Sequence, residues 1–235
     1  MVPSVGNSMV LMCSVKAGRC YIIIIIIFIH YPVRMALEQI PIVGAEIYYD
    51  GQFLCAQEAS EFFDALLSKC PWGRRKTSFG SAVPRDEAYY GDPGTHYEYS
   101  HREYTPLPWI PELLSLKQRV EAATPIAAYE NLLLPAKGYN AVLCNLYRDG
   151  SDSVGLHTDN EPEMGPVIAS VSLGSERRFR LRGKGGAVVY SKLMPHGSLL
   201  IMAGNTQEHF KHEVPKDPGV THPRINLTFR RIQHN

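Results

Sequence analysis

From residue 140 onward the chain is a succession of short apolar or alternating segments divided by turns: AVLCNLY (141–147), VGLHTD (154–159), VIASVSLG (167–174), RRFRLR (177–182), SLLIM (198–202) and RINLTFR (224–230). Strands of this length and spacing close into a sandwich or jelly roll. The upstream half carries a different period. Ala59, Phe62, Phe63, Leu66, Leu67 and Cys70 make the stripe of an amphipathic helix, stopped by Pro71. A second helix opens at Pro111 and sets Leu113, Leu116, Val120 and Ala123 on one side. The expected class is therefore α+β, mainly β, a jelly roll with N-terminal helices packed on one sheet.

Between the helices, residues 72–108 are rich in turn signals, among them Gly73, Gly80, Pro84 and Asp92-Pro93-Gly94. The same stretch holds Tyr89, Tyr90, Tyr97, Tyr99 and Tyr104. These aromatics either present a surface on a loop or pack beneath it. The five cysteines are odd in number and form no CxxC pair, which excludes a disulfide scaffold or a zinc ribbon and fits a reducing, intracellular compartment.

Residues 1–34 read as a dispensable extension ahead of a domain at 35–235. Their run YIIIIIIFI (21–29) reaches only about 13.5 Å as a helix, against roughly 30 Å of bilayer hydrocarbon, so no membrane partner is expected. The whole chain carries a net charge of +1 and residues 35–235 a formal −2. A nucleic-acid partner would have to be met by a local patch.

His157-Thr158-Asp159 is the first chemical signal. On a strand His157 and Asp159 share one side, about 6.6 Å apart, within reach of one metal ion. His209, His212 and His222 are candidates for a third ligand. Two histidines and a carboxylate form the facial set of non-haem Fe(II) oxygenases, with positions left open. On the last strand Arg224, Asn226, Thr228 and Arg230 share one face, and Ile225, Leu227 and Phe229 the other. The two guanidiniums lie roughly 20 Å apart along the strand. With both side chains leaning inward, the gap suits a short dicarboxylate held at its two ends. Leu143, Asn145 and Tyr147 share a face just before the HxD segment.

Asn145-Leu-Tyr147, His157-Thr-Asp159, His212 and Arg224-Ile-Asn226-Leu-Thr228-Phe-Arg230 together resemble the AlkB family of Fe(II)/2-oxoglutarate-dependent dioxygenases, closest to its eukaryotic-type DNA-repair branch. VPR (83–85), YGD (90–92) and LPWIPELL (107–114) extend the likeness. The resemblance implies a double-stranded β-helix at 136–235 as catalytic core, and a helical and nucleotide-recognition part at 35–135. It implies His157, Asp159 and His212 as metal ligands and catalytic residues. Arg224 would take the distal carboxylate of 2-oxoglutarate and Arg230 the oxo-acid end, with Asn145, Tyr147, Asn226 and Thr228 assisting. Cofactors would be Fe(II), 2-oxoglutarate and O2. The activity would be oxidative demethylation of 1-methyladenine and 3-methylcytosine in nucleic acid, with release of formaldehyde, as DNA repair.

A base inside a duplex cannot reach such a metal, so it must be flipped or single-stranded. The resemblance places Tyr97, Tyr99 and Arg85 at the base pocket, Asn160 and Glu161 at the base edge, and Phe79 as a wedge filling the gap in the stack. Arg178, Arg180 and Arg182 alternate along one strand face and Arg74-Arg75-Lys76 form a second basic cluster; both are expected phosphate contacts. A monomer acting on DNA in preference to RNA is expected, in the nucleus if the source is eukaryotic and otherwise in the cytoplasm. The rivals are an RNA demethylase or another 2-oxoglutarate hydroxylase, and a metal-binding jelly roll that holds nucleic acid without turnover.

Overall fold

The strand β15 (Arg224–Arg230) is buried at all seven positions, which requires cover on both of its faces. In the computed structural model, which describes residues 8–16, 19–27, 37–76, 80, 82–98, 103–124 and 138–233, that cover is helical on one side and a second sheet on the other. The larger sheet has seven strands in the order β3 (Glu38–Ile40), β4 (Glu46–Asp50), β13 (Ser198–Ala203), β10 (Ile168–Gly174), β15, β8 (Ala141–Tyr147), β5 (Asp86–Gly91). The smaller has four: β12 (Val188–Met194), β11 (Arg177–Gly183), β14 (Phe210–Val214), β9 (Val154–His157). All pairings in the two sheets are antiparallel, as a jelly roll requires.

Side-chain alternation divides the core in two. Ile225, Leu227 and Phe229 of β15, Val142, Cys144 and Leu146 of β8, and Val171 and Leu173 of β10 pack on helices α1 (Ala56–Lys69) and α2 (Pro111–Ala123) through Leu66, Leu113, Leu116 and Val120. The predicted helices are both present, with Ala59, Leu66 and Cys70 buried and Leu67 partly exposed at the rim. On the opposite side of the sheet, Ile47, Tyr49, Ile168, Leu200 and Met202 meet Phe179, Leu181 and Met194 of the smaller sheet.

The structure departs from the sequence reading upstream of residue 136. That part is not only helical: it gives β3, β4 and β5 to the larger sheet, so the core begins well before 136. Tyr89, Tyr90 and Tyr104 are buried; Tyr89 and Tyr90 belong to β5, whose residues are almost all covered. Turn residues on both sides hid this strand. A two-residue ribbon pairs β6 (Tyr97–Glu98) with β7 (Glu103–Tyr104). Residues 1–36 form a unit separate from 37–235, in which β1 (Ser8–Lys16) and β2 (Arg19–Ile27) pair as an antiparallel hairpin. The apolar run is thus largely strand.

Two glycine-dependent and charge-dependent details hold the helices in place. Gly174 has φ of +84°, and a Cβ there would fall 2.5 Å from the Pro223 carbonyl oxygen and 2.7 Å from the Phe63 ring, so α1 packs closely over this turn. Arg119 of α2 grips Glu58 of α1 through two hydrogen bonds of 2.9 and 3.2 Å. That grip, with the Cys55 N–H, lowers the Glu58 pKa to about 2. Because the folded value lies below the unfolded one, the stabilisation is complete above about pH 4.5 and fades as pH falls toward 2. Both partners are over a third exposed, so solvent leaves only about 0.5 kcal/mol. Glu58→Gln should lower the urea midpoint slightly at pH 7, with the difference shrinking as the pH is taken toward 3.

Among the described residues, no helix is long and apolar enough to cross a membrane.

Candidate active site

The interior face of the larger sheet turns polar around a cavity between the two sheets. Arg224, Asn226, Thr228 and Arg230 of β15 point into this gap, opposite Tyr147, Asn145 and Leu143 of β8 on one side and Ser170 and Ser172 of β10 on the other. Across the gap stand His157 of β9 and His212 of β14, directly paired in register. Their rings lie 4.2 Å apart.

Asp159 completes the group. The expected strand over 154–159 stops at His157, so Asp159 reaches the site from an irregular segment. Its backbone N–H donates to Gln207 Oε1 at 3.1 Å, which fixes the segment against helix α3 (Thr206–His209). The Asp159 carboxylate lies 3.6 Å from His157 Nε2 and 3.9 Å from His212 Nε2. All the ligand atoms fall within 4.8 Å of one another. His157 Nδ1 lies 2.8 Å from the Gly155 carbonyl; a proton there leaves Nε2 as the free lone pair.

The electrostatics suit a cation. Burial, with His157 alongside, pushes the His212 imidazole down to about 3, so it is neutral near pH 7, as a metal ligand must be. Burial alone would raise Asp159. Arg230, 2.9 Å away, overrides that and holds the carboxyl well below the carboxylate range. Two imidazoles and one carboxylate on one side of an open cavity fit Fe(II), leaving further coordination positions for a co-substrate. Of the other candidates, His209 faces the Gly44 carbonyl and His222 the Thr221 hydroxyl; neither joins the cluster.

The deep end of the cavity suits an anion. Arg224 donates through Nη2 to Ser172 Oγ (2.9 Å) and Asn226 Oδ1 (2.6 Å). Its Nε and Nη1 are buried with no hydrogen-bond partner among the described residues. A buried guanidinium with open donors and no facing carboxylate is costly unless a ligand brings one. Tyr147 lies beneath it, 5.1 Å from ring centroid to Cζ, with Arg177 at 5.5 Å from the same ring.

The family model described as the 2OG-Fe(II) oxygenase superfamily matches residues 46–230. "DNA oxidative demethylase ALKBH2" of Mus musculus is 37% identical over 188 residues, covering 75% of this chain and 72% of that one. The chain belongs to the AlkB family of 2OG-Fe(II) oxygenases. "Alpha-ketoglutarate-dependent dioxygenase alkB homolog 3" of Bos taurus is 38% identical over 196 residues, 77% of this chain; the chain spans 64% of that relative's length. The solved structure of OsALKBH1 superimposes with a TM-score of 0.57 at 20% identity, over 84% of this chain and all of the other, which supports the same fold.

Within this AlkB-family chain the remaining predicted residues differ in their surroundings. Arg85 lines the cavity but faces Asn145 and Glu87. Asn160 is exposed and accepts from the Thr158 hydroxyl. Burial raises the Glu161 carboxyl, whose Oε2 has no hydrogen-bond partner among the described residues. Phe79, Tyr99 and the side chain of Tyr97 lie outside the described residues.

The basic residues divide differently from the sequence expectation. Arg74 is engaged by Asp86 (3.0 Å) and Asp152 (2.7 Å), while Arg75 faces Glu87 and caps the Tyr104 ring at 4.1 Å. Both are thus engaged by carboxylates; Lys76 is exposed. On β11, Arg182 pairs with Glu213 at 2.8 Å and Arg180 approaches the same carboxylate at 3.8 Å. Among the described residues, Arg178 meets only the Ser191 hydroxyl, at 3.4 Å. Arg177, next to them in the chain, is buried and donates to the carbonyls of Asp149, Asp152 and Pro215.

Sequence reasoning passed over Ser170 and Ser172, although two hydroxyls at alternate positions of an otherwise apolar strand are a period-2 signal. Glu87 also gave no signal in the sequence.

Proposed function

We propose that this chain is an oxidative demethylase of N-alkylated bases, such as 1-methyladenine and 3-methylcytosine, in nucleic acid, DNA in preference to RNA. The observation that carries the reading is the placement of the His157–Asp159–His212 cluster and the open donors of buried Arg224 in one cavity. The relative named DNA oxidative demethylase ALKBH2 supports the choice of substrate. When bound, Fe(II), 2-oxoglutarate and O2 supply the oxidant that hydroxylates the N-methyl carbon, and the N-hydroxymethyl product then loses formaldehyde.

The chain's own residues bind, orient and exclude water. His157, Asp159 and His212 would hold the metal. Arg224, with Tyr147 and Asn226, would take the distal carboxylate of 2-oxoglutarate. Arg230, beside the metal-ligand carboxylate, would reach the oxo-acid end, and Asn145 and Thr228 would donate from the adjoining wall. Phe179, Leu200 and Met202 supply apolar lining, which strengthens each of these interactions by keeping water out.

For the base, Glu161 offers a half-buried carboxylate beside Asp159 and Arg230, suited to a ring made cationic by alkylation. Tyr97 and Tyr99 would line the pocket, Asn160 would reach the base edge and Phe79 would fill the stack. Among the basic side chains, Arg178, Arg180 and Lys76 would meet phosphates; Arg182, Arg74 and Arg75 would do so only secondarily, given their carboxylate partners. On this reading the chain works as a monomer in a reducing compartment, which the free thiols of Cys55, Cys70 and Cys144 favour.

Arg178→Glu with Arg180→Glu should weaken binding to a single-stranded oligonucleotide and lower the slope of log affinity against log salt by about 2, one for each phosphate no longer neutralised. Fluorescence anisotropy across a salt series reads both. An unchanged slope would remove these residues from the nucleic-acid surface.

A further inference from the structure

Glu87 is the second residue of β5, side by side with Asn145 of β8. Its carboxylate is almost fully covered, and three donor side chains converge on it. Arg85 Nη2 lies at 2.7 Å, the Tyr104 hydroxyl donates at 3.0 Å and Arg75 Nε stands at 3.7 Å. Burial, with Glu87 alongside, pushes the Tyr104 phenol up, so it keeps the proton it donates.

The arrangement does more than neutralise a buried acid. With Nη2 ion-paired to Glu87 Oε1, the Arg85 guanidinium presents Nε to Asn145, and that N–H donates to Asn145 Oδ1 at 2.7 Å. A guanidinium has donors only. The atom of the Asn145 amide that faces it must therefore be the oxygen, and the Nδ2 donor is left for the cavity that Asn145 lines. Without a fixed donor on that side the amide could flip and offer an oxygen to an anionic ligand, which would repel it.

We propose that Glu87 is a positioning residue for the co-substrate site: through Arg85 it locks the Asn145 amide with its NH2 group turned toward the bound 2-oxoglutarate. The inference rests on the reading of this cavity as the 2-oxoglutarate site. It also gives Arg85 a role on the co-substrate side of the cavity, in place of the base contact expected from sequence.

The test is calorimetric titration of 2-oxoglutarate into the full chain loaded with Mn(II), which measures binding without turnover. Wild type is compared with Glu87→Gln, Arg85→Lys, Asn145→Ala and the double variant Glu87→Gln/Asn145→Ala. A lysine at position 85 keeps the charge beside Glu87 and loses the fork that spans both partners, so it tests the relay even if Glu87→Gln fails to fold. The dissociation constant should rise about tenfold in Glu87→Gln and in Arg85→Lys, the scale of one hydrogen bond to a charged group. Mn(II) affinity should be unchanged, and the double variant should bind no more weakly than Asn145→Ala alone. Wild-type affinity for 2-oxoglutarate in Arg85→Lys, or fully additive losses in the double variant, would overturn the proposal and leave Glu87 as a structural ion-pair hub. A wild-type chain that holds Mn(II) but binds no 2-oxoglutarate would instead overturn the reading of the cavity itself.

Discussion

His157→Ala should yield a folded protein that no longer holds a divalent metal, while Asp159→Ala should yield one that has lost both the metal and part of its stability. The two ligands differ in what else they touch. The His157 side chain is 18% exposed, and among the described residues its other nitrogen meets only a backbone carbonyl two residues away. Its removal costs the fold little. Asp159 is buried and faces Arg230 at 2.9 Å. Deleting it takes the facing carboxylate from a buried guanidinium, a loss of about 3 kcal/mol. Metal affinity, read by competition with a chromogenic chelator, should fall by more than about a hundredfold in both variants, beyond the effect of losing an outer-shell partner. The melting temperature of the metal-free protein should fall clearly only in Asp159→Ala. Equal melting temperatures would mean that the Asp159–Arg230 pair contributes nothing to the fold.

Arg224→Met should behave in the opposite way. The guanidinium is 2% exposed and faces no carboxylate among the described residues, and burial together with nearby Arg177 lowers its pKa. Such a charge is a burden on the empty protein. An unbranched apolar side chain of similar length should leave stability unchanged or raise it. Affinity for 2-oxoglutarate should fall about a hundredfold, the equivalent of about 2.8 kcal/mol for a missing charge-assisted pair. Thermal shift with and without 2-oxoglutarate in the presence of Mn(II) separates the effects. The variant should melt no lower than wild type, yet gain little from the ligand. If the ligand still stabilises it fully, Arg224 is not the anchor.

Much of this was legible from the sequence because it depends on local period. The alternation in RINLTFR separates Ile225, Leu227 and Phe229 from Arg224, Asn226, Thr228 and Arg230, and the structure buries the first set against the helices and turns the second into the cavity. The helical stripes ending at Cys70 and beginning at Pro111 were equally plain. What was hidden depends on distant partners. β5 lies among turn residues and is covered on both faces, so DEAYYG shows no alternation to mark it as a strand. Arg74 and Arg75 read as a basic patch because Asp86, Asp152 and Glu87, which engage them, are spread over other segments. Arg177 and Arg178 are adjacent in sequence and opposite in fate, one buried among backbone carbonyls and one at the surface. Only the pairing of strands decides which is which.

Formaldehyde released from oligonucleotides carrying 3-methylcytosine, as single-stranded DNA, duplex DNA and RNA, separates a base demethylase from other oxygenases of this fold. The assay uses the full chain with Fe(II), 2-oxoglutarate and O2, and His157→Ala as control. Formaldehyde is expected in step with repaired base, with DNA substrates ahead of RNA and no signal from the control. Decarboxylation of 2-oxoglutarate with no formaldehyde from any of these substrates would contradict the demethylase reading, leaving an oxygenase whose substrate is not an alkylated base.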